Sequence, residues 1–158
     1  FAKWVHKEDY HITLVFLGKA DRQKLVKCMN ELAEMLKADA ESFTYNLDGF
    51  GIFGNAESPR VFYLSPERDA ALLKIRKKTA DICKKHGFTV EDRPFHPHIT
   101  LARKYIGSER FHTEKLQYLN EEANDSPMNI RADTVCLYET QIGKIPKYKA
   151  ISSIRLKD

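Results

Sequence analysis

Residues 11–14 read His-Ile-Thr-Leu, and residues 98–101 read His-Ile-Thr-Leu again, 87 positions further on. Each copy lies in a run rich in β-branched and aromatic residues, YHITLVFL over 10–17 and HITLAR over 98–103, so each is expected as a strand. Alternate side chains of a strand face opposite sides. His11 and Thr13 therefore share one face, and Ile12 and Leu14 the other; His98 with Thr100 and Ile99 with Leu101 repeat the arrangement. The apolar pair can anchor in a core, which leaves the His–Thr pair to solvent or to a cleft. Packing asks only for alternation and does not need the same polar residues twice. One copy per half suggests two halves related by an approximate two-fold axis, with both imidazoles meeting in one cleft.

The elements between the copies read as a mixed chain. A helix is expected from Asp21 to about Lys37, with Leu25, Cys28, Met29, Leu32 and Leu36 at helical spacing. Strands are expected at 43–47 and 60–64, separated by a loop punctuated by Gly49, Gly51 and Gly54. A second helix is expected over 67–86, with Gly87 as its cap. Residues 112–123 suggest a short helix or irregular segment, and 129–138 and 148–156 two closing strands. Runs of strand with one helix per half indicate an α+β domain, and 158 residues suit a single one, taken as 1–158. No apolar run approaches the roughly 20 residues that span a bilayer, and residues 1–10 carry charge throughout, so no membrane segment is expected. The three cysteines, Cys28, Cys83 and Cys136, are odd in number and lack zinc spacing, which points to packed thiols in a reducing cytoplasm.

Two imidazoles across a small anion supply a general base and a general acid near neutral pH. Two hydroxyls beside them can donate to non-bridging oxygens, where negative charge grows in the transition state. His11 and His98 are thus the candidate catalytic pair, and Thr13 and Thr100 the candidate anion donors, for hydrolysis of a phosphodiester without a metal or other cofactor. The net charge of +4 is compatible with a phosphate-bearing partner.

The two motifs, His11 through Gly18 and His98 through Arg103, resemble those of the 2H phosphoesterases, and most closely the RNA 2',3'-cyclic phosphodiesterases once described as 2'-5' RNA ligases. Trp4-Val5 and the stretch from Ala132 to Leu156 extend the resemblance over essentially the whole chain. It implies a bilobal α+β fold, with two pseudo-symmetric antiparallel sheets, helices outside and a cleft between. It implies hydrolysis of an RNA 2',3'-cyclic phosphate end to a 2'-phosphate, with a weak reverse 2'-5' ligation. In that scheme His11 protonates the leaving 3'-oxygen, His98 activates water, and Thr13 and Thr100 hold the phosphate. A near-symmetric site permits either assignment of acid and base. A small cyclic phosphate such as ADP-ribose 1'',2''-cyclic phosphate, or binding of an RNA end without turnover, stands as an alternative. A monomer is expected. Members of the family also carry an opening strand and helix, so roughly 25–35 residues are expected ahead of Phe1, by typical element lengths.

Phe16 and Arg103 occupy the same position in the two copies, five residues after each histidine. The resemblance implies that they flank the terminal base. Strand parity opposes this, since an offset of five lies on the other face, so a bulge or strand end must turn them inward. Otherwise Phe16 is core and Arg103 a surface charge. Three other patterns carry less. His96-Pro97-His98 offers two nitrogens but no further ligand nearby for a metal. Gly49, Gly51 and Gly54 have GxGxxG spacing but no helix follows them, which rejects a dinucleotide site. Lys74, Arg76, Lys77, Lys78, Lys84 and Lys85 crowd one side of the second helix, either as a solvated face or as an RNA track.

Overall fold

The computed structural model of the chain describes residues 1–125 and 128–158. In order, these are β1 (Lys3–Trp4), a 3-10 turn (Lys7–Asp9), α1 (Arg22–Asp39), β2 (Phe43–Asn55), β3 (Ser58–Pro66), α2 (Ala70–Lys85), β4 (Ile99–Arg103), α3 (Glu114–Asp125), β5 (Asn129–Ala132), β6 (Thr134–Thr140) and β7 (Tyr148–Arg155). Strands β1-β4-β3-β2-β5 form one antiparallel sheet, and β6 and β7 form a second. No helix among the described residues is long and apolar enough to cross a membrane.

Helices α1 and α2 lie together on the small sheet. Leu32, Leu36 and Ala40 of the α1 end pack with Ile75 of α2 and with Ile154 and Leu156 at the end of β7. The side chain of Asp69 accepts from Leu72 N–H at 3.0 Å and starts α2. Its C-terminus turns at Gly87, where φ is +88°. Glu31 on α1 ties the pair by bonding Lys85 and, at 3.2 Å, His86 Nε2. The third helix, α3, covers β2 of the larger sheet. The helices are thus shared two to one between the sheets, whereas one per half was expected.

Three other expectations change. The strand foreseen over 10–17 makes only one bridge, Ile12 to Ile99. Beyond it Leu14 packs on the α1–α2–β7 core, and Val15 and Leu17 pack on Cys28, Cys83 and Phe88. This segment crosses from one sheet to the other helical layer, so it cannot pair along its length. The glycine loop foreseen after residue 47 is instead the continuation of β2. A Cβ on Gly49 would lie 2.6 Å from Asn120 Oδ1, and one on Gly51 would overlap the Tyr63 ring. These glycines let α3 and a cross-strand tyrosine approach the backbone; they are packing positions inside a strand. The closing run 129–138 is two strands in different sheets, β5 on β2 and β6 on β7, divided at Asp133.

Candidate active site

The single bridge Ile12–Ile99 joins the two motif copies to each other, antiparallel. Antiparallel pairing of two like segments is a local two-fold relation, and it sets His11 and His98 on either side of one contact. The relation extends to the rings. His11 Nδ1 lies 2.6 Å from the Asp9 carbonyl oxygen, and His98 Nδ1 lies 2.9 Å from the His96 carbonyl oxygen. In both copies the acceptor is the carbonyl two residues earlier. A carbonyl only accepts, so each Nδ1 carries a proton and each Nε2 is the nitrogen left for a proton exchange. Thr13 Oγ1 sits 3.0 Å from His11 Nε2, placing hydroxyl and imidazole side by side.

Aromatic rings wall both histidines. The His11 ring is 4.9 Å from Tyr148 and 5.6 Å from Tyr138, on the β6–β7 pair. The His98 ring is 5.0 Å from Phe53 and 5.6 Å from Tyr63, on the β2–β3 pair. Each sheet thus backs one histidine. Burial, opposed by the bond to the His96 carbonyl and reinforced by the positive groups of His96, Arg103 and His11, holds the His98 imidazole below its ordinary pKa. Burial also raises the Tyr63 and Tyr138 phenols, so both remain O–H donors at neutral pH.

The parity conflict at Phe16 and Arg103 has a backbone answer. On β4, Ala102 faces Phe62 and Thr100 faces Tyr63, so Leu101 is an extra residue opposite two consecutive partners. Ile99 and Ala102, three apart, are both buried at 8% and 0% exposure. The bulge returns Arg103 to the face of His98 and Thr100. In the first copy the backbone bends at Leu14, the equivalent position. Leu14 and Val15 are both half-buried, and Phe16 emerges at 79% exposure, which removes the core reading of Phe16. The final Leu of each HITL is where the chain changes parity.

Asp9 was not foreseen, because it sits in a charged stretch with no periodicity. It is 7% exposed, and its carboxylate accepts from the backbone N–H groups of Lys147 at 2.8 Å and Tyr148 at 3.1 Å. It thereby pins the start of β7, with its Tyr148 ring, to the segment whose carbonyl orients His11. Phe53, Tyr63, Tyr138 and Tyr148 were also missed as wall residues; only Gly51, which admits Tyr63, left a trace in the sequence. The pair His96 and His98, with ring centroids 6.2 Å apart, gains no third ligand: among the described residues no three His, Cys, Asp or Glu side chains group to hold a metal ion.

Two sheets that each back one His-x-Thr copy, with the copies joined by their own bridge, define a 2H phosphoesterase. The chain belongs to the 2'-5' RNA ligase superfamily, whose family model matches residues 1–143. It is 35% identical over 156 residues to the RNA 2',3'-cyclic phosphodiesterase of Bacillus subtilis, covering 99% of this chain and 81% of that protein. It is 37% identical over 156 residues to the Geobacillus stearothermophilus protein of the same name, with 99% of this chain and 48% of that one covered. Among solved structures, TT0787 of Thermus thermophilus superposes with a TM-score of 0.74 at 22% identity, over 98% of this chain and 82% of that one. E. coli LigT complexed with 3'-AMP gives 0.72 at 21% identity, over 99% and 82%.

Proposed function

We propose that the chain hydrolyses 2',3'-cyclic phosphate ends of RNA to 2'-phosphates, using His98 as general base and His11 as general acid. The observation that carries this reading is the matched pair of imidazoles, each with Nδ1 on a backbone carbonyl, which leaves Nε2 for proton transfer and sets that of His11 beside the Thr13 hydroxyl. The names of the relatives from B. subtilis and G. stearothermophilus support the substrate. The depressed pKa of His98 supports the division of roles, because a base must be neutral to accept a proton. Water loses a proton to His98 Nε2 as its oxygen bonds to phosphorus. The bond from phosphorus to the 3'-oxygen breaks, and His11 Nε2 donates the proton that completes the 3'-hydroxyl. Thr13 and Thr100 donate to the non-bridging oxygens; Arg103 balances phosphate charge, and Phe16 offers a ring to the terminal base. The buried thiols Cys28 and Cys83, with Sγ atoms 3.9 Å apart, suit work in a reducing cytoplasm.

The test is turnover of an oligonucleotide with a 2',3'-cyclic phosphate end in the presence of EDTA, with product regiochemistry read by chromatography. Formation of the 2'-phosphate is expected. His11→Ala and His98→Ala should each abolish it to within detection, and Thr13→Ala or Thr100→Ala should lower kcat on the order of 10 to 1000-fold, as for loss of one anion donor. Full activity in either histidine variant, or a 3'-phosphate product, overturns the assignment.

A further inference from the structure

Three of the six cations crowding α2 are already engaged. Lys85 pairs with Glu31, Lys78 with Asp39 at 3.7 Å, and Lys77 with Asp81 at 3.2 Å. Arg76 and Lys84 are different: among the described residues neither has a carboxylate within ion-pair distance. Both line a groove of about 330 Å³ that runs along one stripe of α2, from Leu73 to Lys84, with Phe95 beside it. The Arg76 guanidinium lies over the Phe95 ring at 5.2 Å, and its Nε is buried with no hydrogen-bond partner. A cation held in place by an aromatic ring, with a buried donor left unsatisfied and no anion from the protein, is set up for an anion from outside. Counting Lys77 and Asp81 with Arg76 and Lys84, the groove carries a net excess of two positive charges.

The groove adjoins the catalytic cleft along the chain. Phe95 is followed by His96, whose ring packs on Phe53 and Tyr63, the same two rings that wall His98. Phe95 is three residues from His98, no more than roughly 11 Å of extended chain. A cationic groove edged by an aromatic ring is the physical pattern of a single-stranded nucleic-acid track. We infer that the α2–Phe95 groove takes the phosphodiester backbone of the RNA strand a few nucleotides upstream of the cyclic end. This rests on the RNA reading of the cleft, and it adds a preference for oligonucleotides over mononucleotides without any preference for sequence.

The test compares kcat/KM for uridine 2',3'-cyclic monophosphate with that for oligouridylates of two to ten nucleotides bearing the same cyclic end, at several salt concentrations. The wild-type protein should gain with length and lose that gain as salt rises. Lys84→Glu, an exposed position, should remove about ten-fold on the decamer and leave the mononucleotide within two-fold. Lys84→Ala should lower the salt slope on the decamer by about 0.7, the value for one lost contact to a single strand. Arg76→Met, which keeps the stem over Phe95, should behave like Lys84→Glu. If wild-type turns over both substrates but shows no length advantage, or if the variants keep the whole advantage, the groove is not an RNA track. If wild-type turns over neither substrate, the reading of the cleft itself has failed and the groove proposal falls with it.

Discussion

The Asp9 side chain makes no contact that the proposed chemistry uses directly, yet Asp9→Asn should cost both stability and rate. The carboxylate accepts one backbone N–H on each oxygen, from Lys147 and Tyr148, in a nearly closed site. An amide of the same shape keeps one acceptor and turns an N–H₂ donor against the other N–H. The loss is one hydrogen bond to a charged group, about 1.5–3 kcal/mol. For a domain of this size each kcal/mol corresponds to about 2–4 °C in Tm, so a fall of about 3–12 °C is expected by thermal denaturation. The effect on rate follows from geometry. The freed segment carries Tyr148, whose ring stands 4.9 Å from His11, and the Asp9 carbonyl holds His11 Nδ1 at 2.6 Å. Loosening both should lower kcat by about 10 to 100-fold with little change in KM, because orientation of the acid matters in the transition state. The 15N chemical shifts of the His11 ring give an independent readout, since they report which ring nitrogen holds the proton and change when Nδ1 changes its partner. A variant with reduced Tm but wild-type kcat and unchanged His11 ring 15N shifts would refute the positioning role.

Gly51→Ala places a Cβ against the Tyr63 ring, inside van der Waals contact, so the ring must shift by about 1 Å, displacing the wall beside His98; a ten-fold or larger fall in kcat is expected, and unchanged kinetics would show that the wall does not hold His98. The acid limb of kcat/KM should lie below the ordinary imidazole value of about 6.5, because the folded protein depresses the His98 pKa. Arg103→Gln removes one of the positive neighbours and should move that limb to higher pH; a limb that stays in place in a slowed variant means that Arg103 acts on substrate alone. The same depression makes the unfolded chain bind more protons than the folded one between the two pKa values, so stability falls as pH drops through that window, and His98→Gln should flatten this part of the stability profile measured by urea unfolding.

The long amphipathic helices were legible because their periodicity is local: the stripe of Cys28, Leu32 and Leu36 is buried as its spacing implies, and α2 buries Leu72, Ile75, Thr79 and Cys83. The strand pattern of β3 and β4 was legible for the same reason. Residues 10–17 were misread because a strand pattern records which side chains want burial and not whether a neighbouring strand exists; here the neighbour is present at Ile12 alone. The glycines of β2 read as a loop because what they accommodate, Asn120 and Tyr63, is distant in sequence.

The candidate chemistry divides along the same line. The choice of two histidines and two threonines as the reactive set is written in the repeated tetrapeptide, because repetition of a polar pair has no explanation in packing. Their convergence is not. It depends on the bridge between the copies, on the Leu101 bulge that turns Arg103 to the His98 face, and on the Asp9 clamp across 138 positions to Lys147. Side-chain type and local period are properties of a few neighbouring residues, whereas the facing of two imidazoles and the burial that tunes one of them exist only once distant segments share a surface.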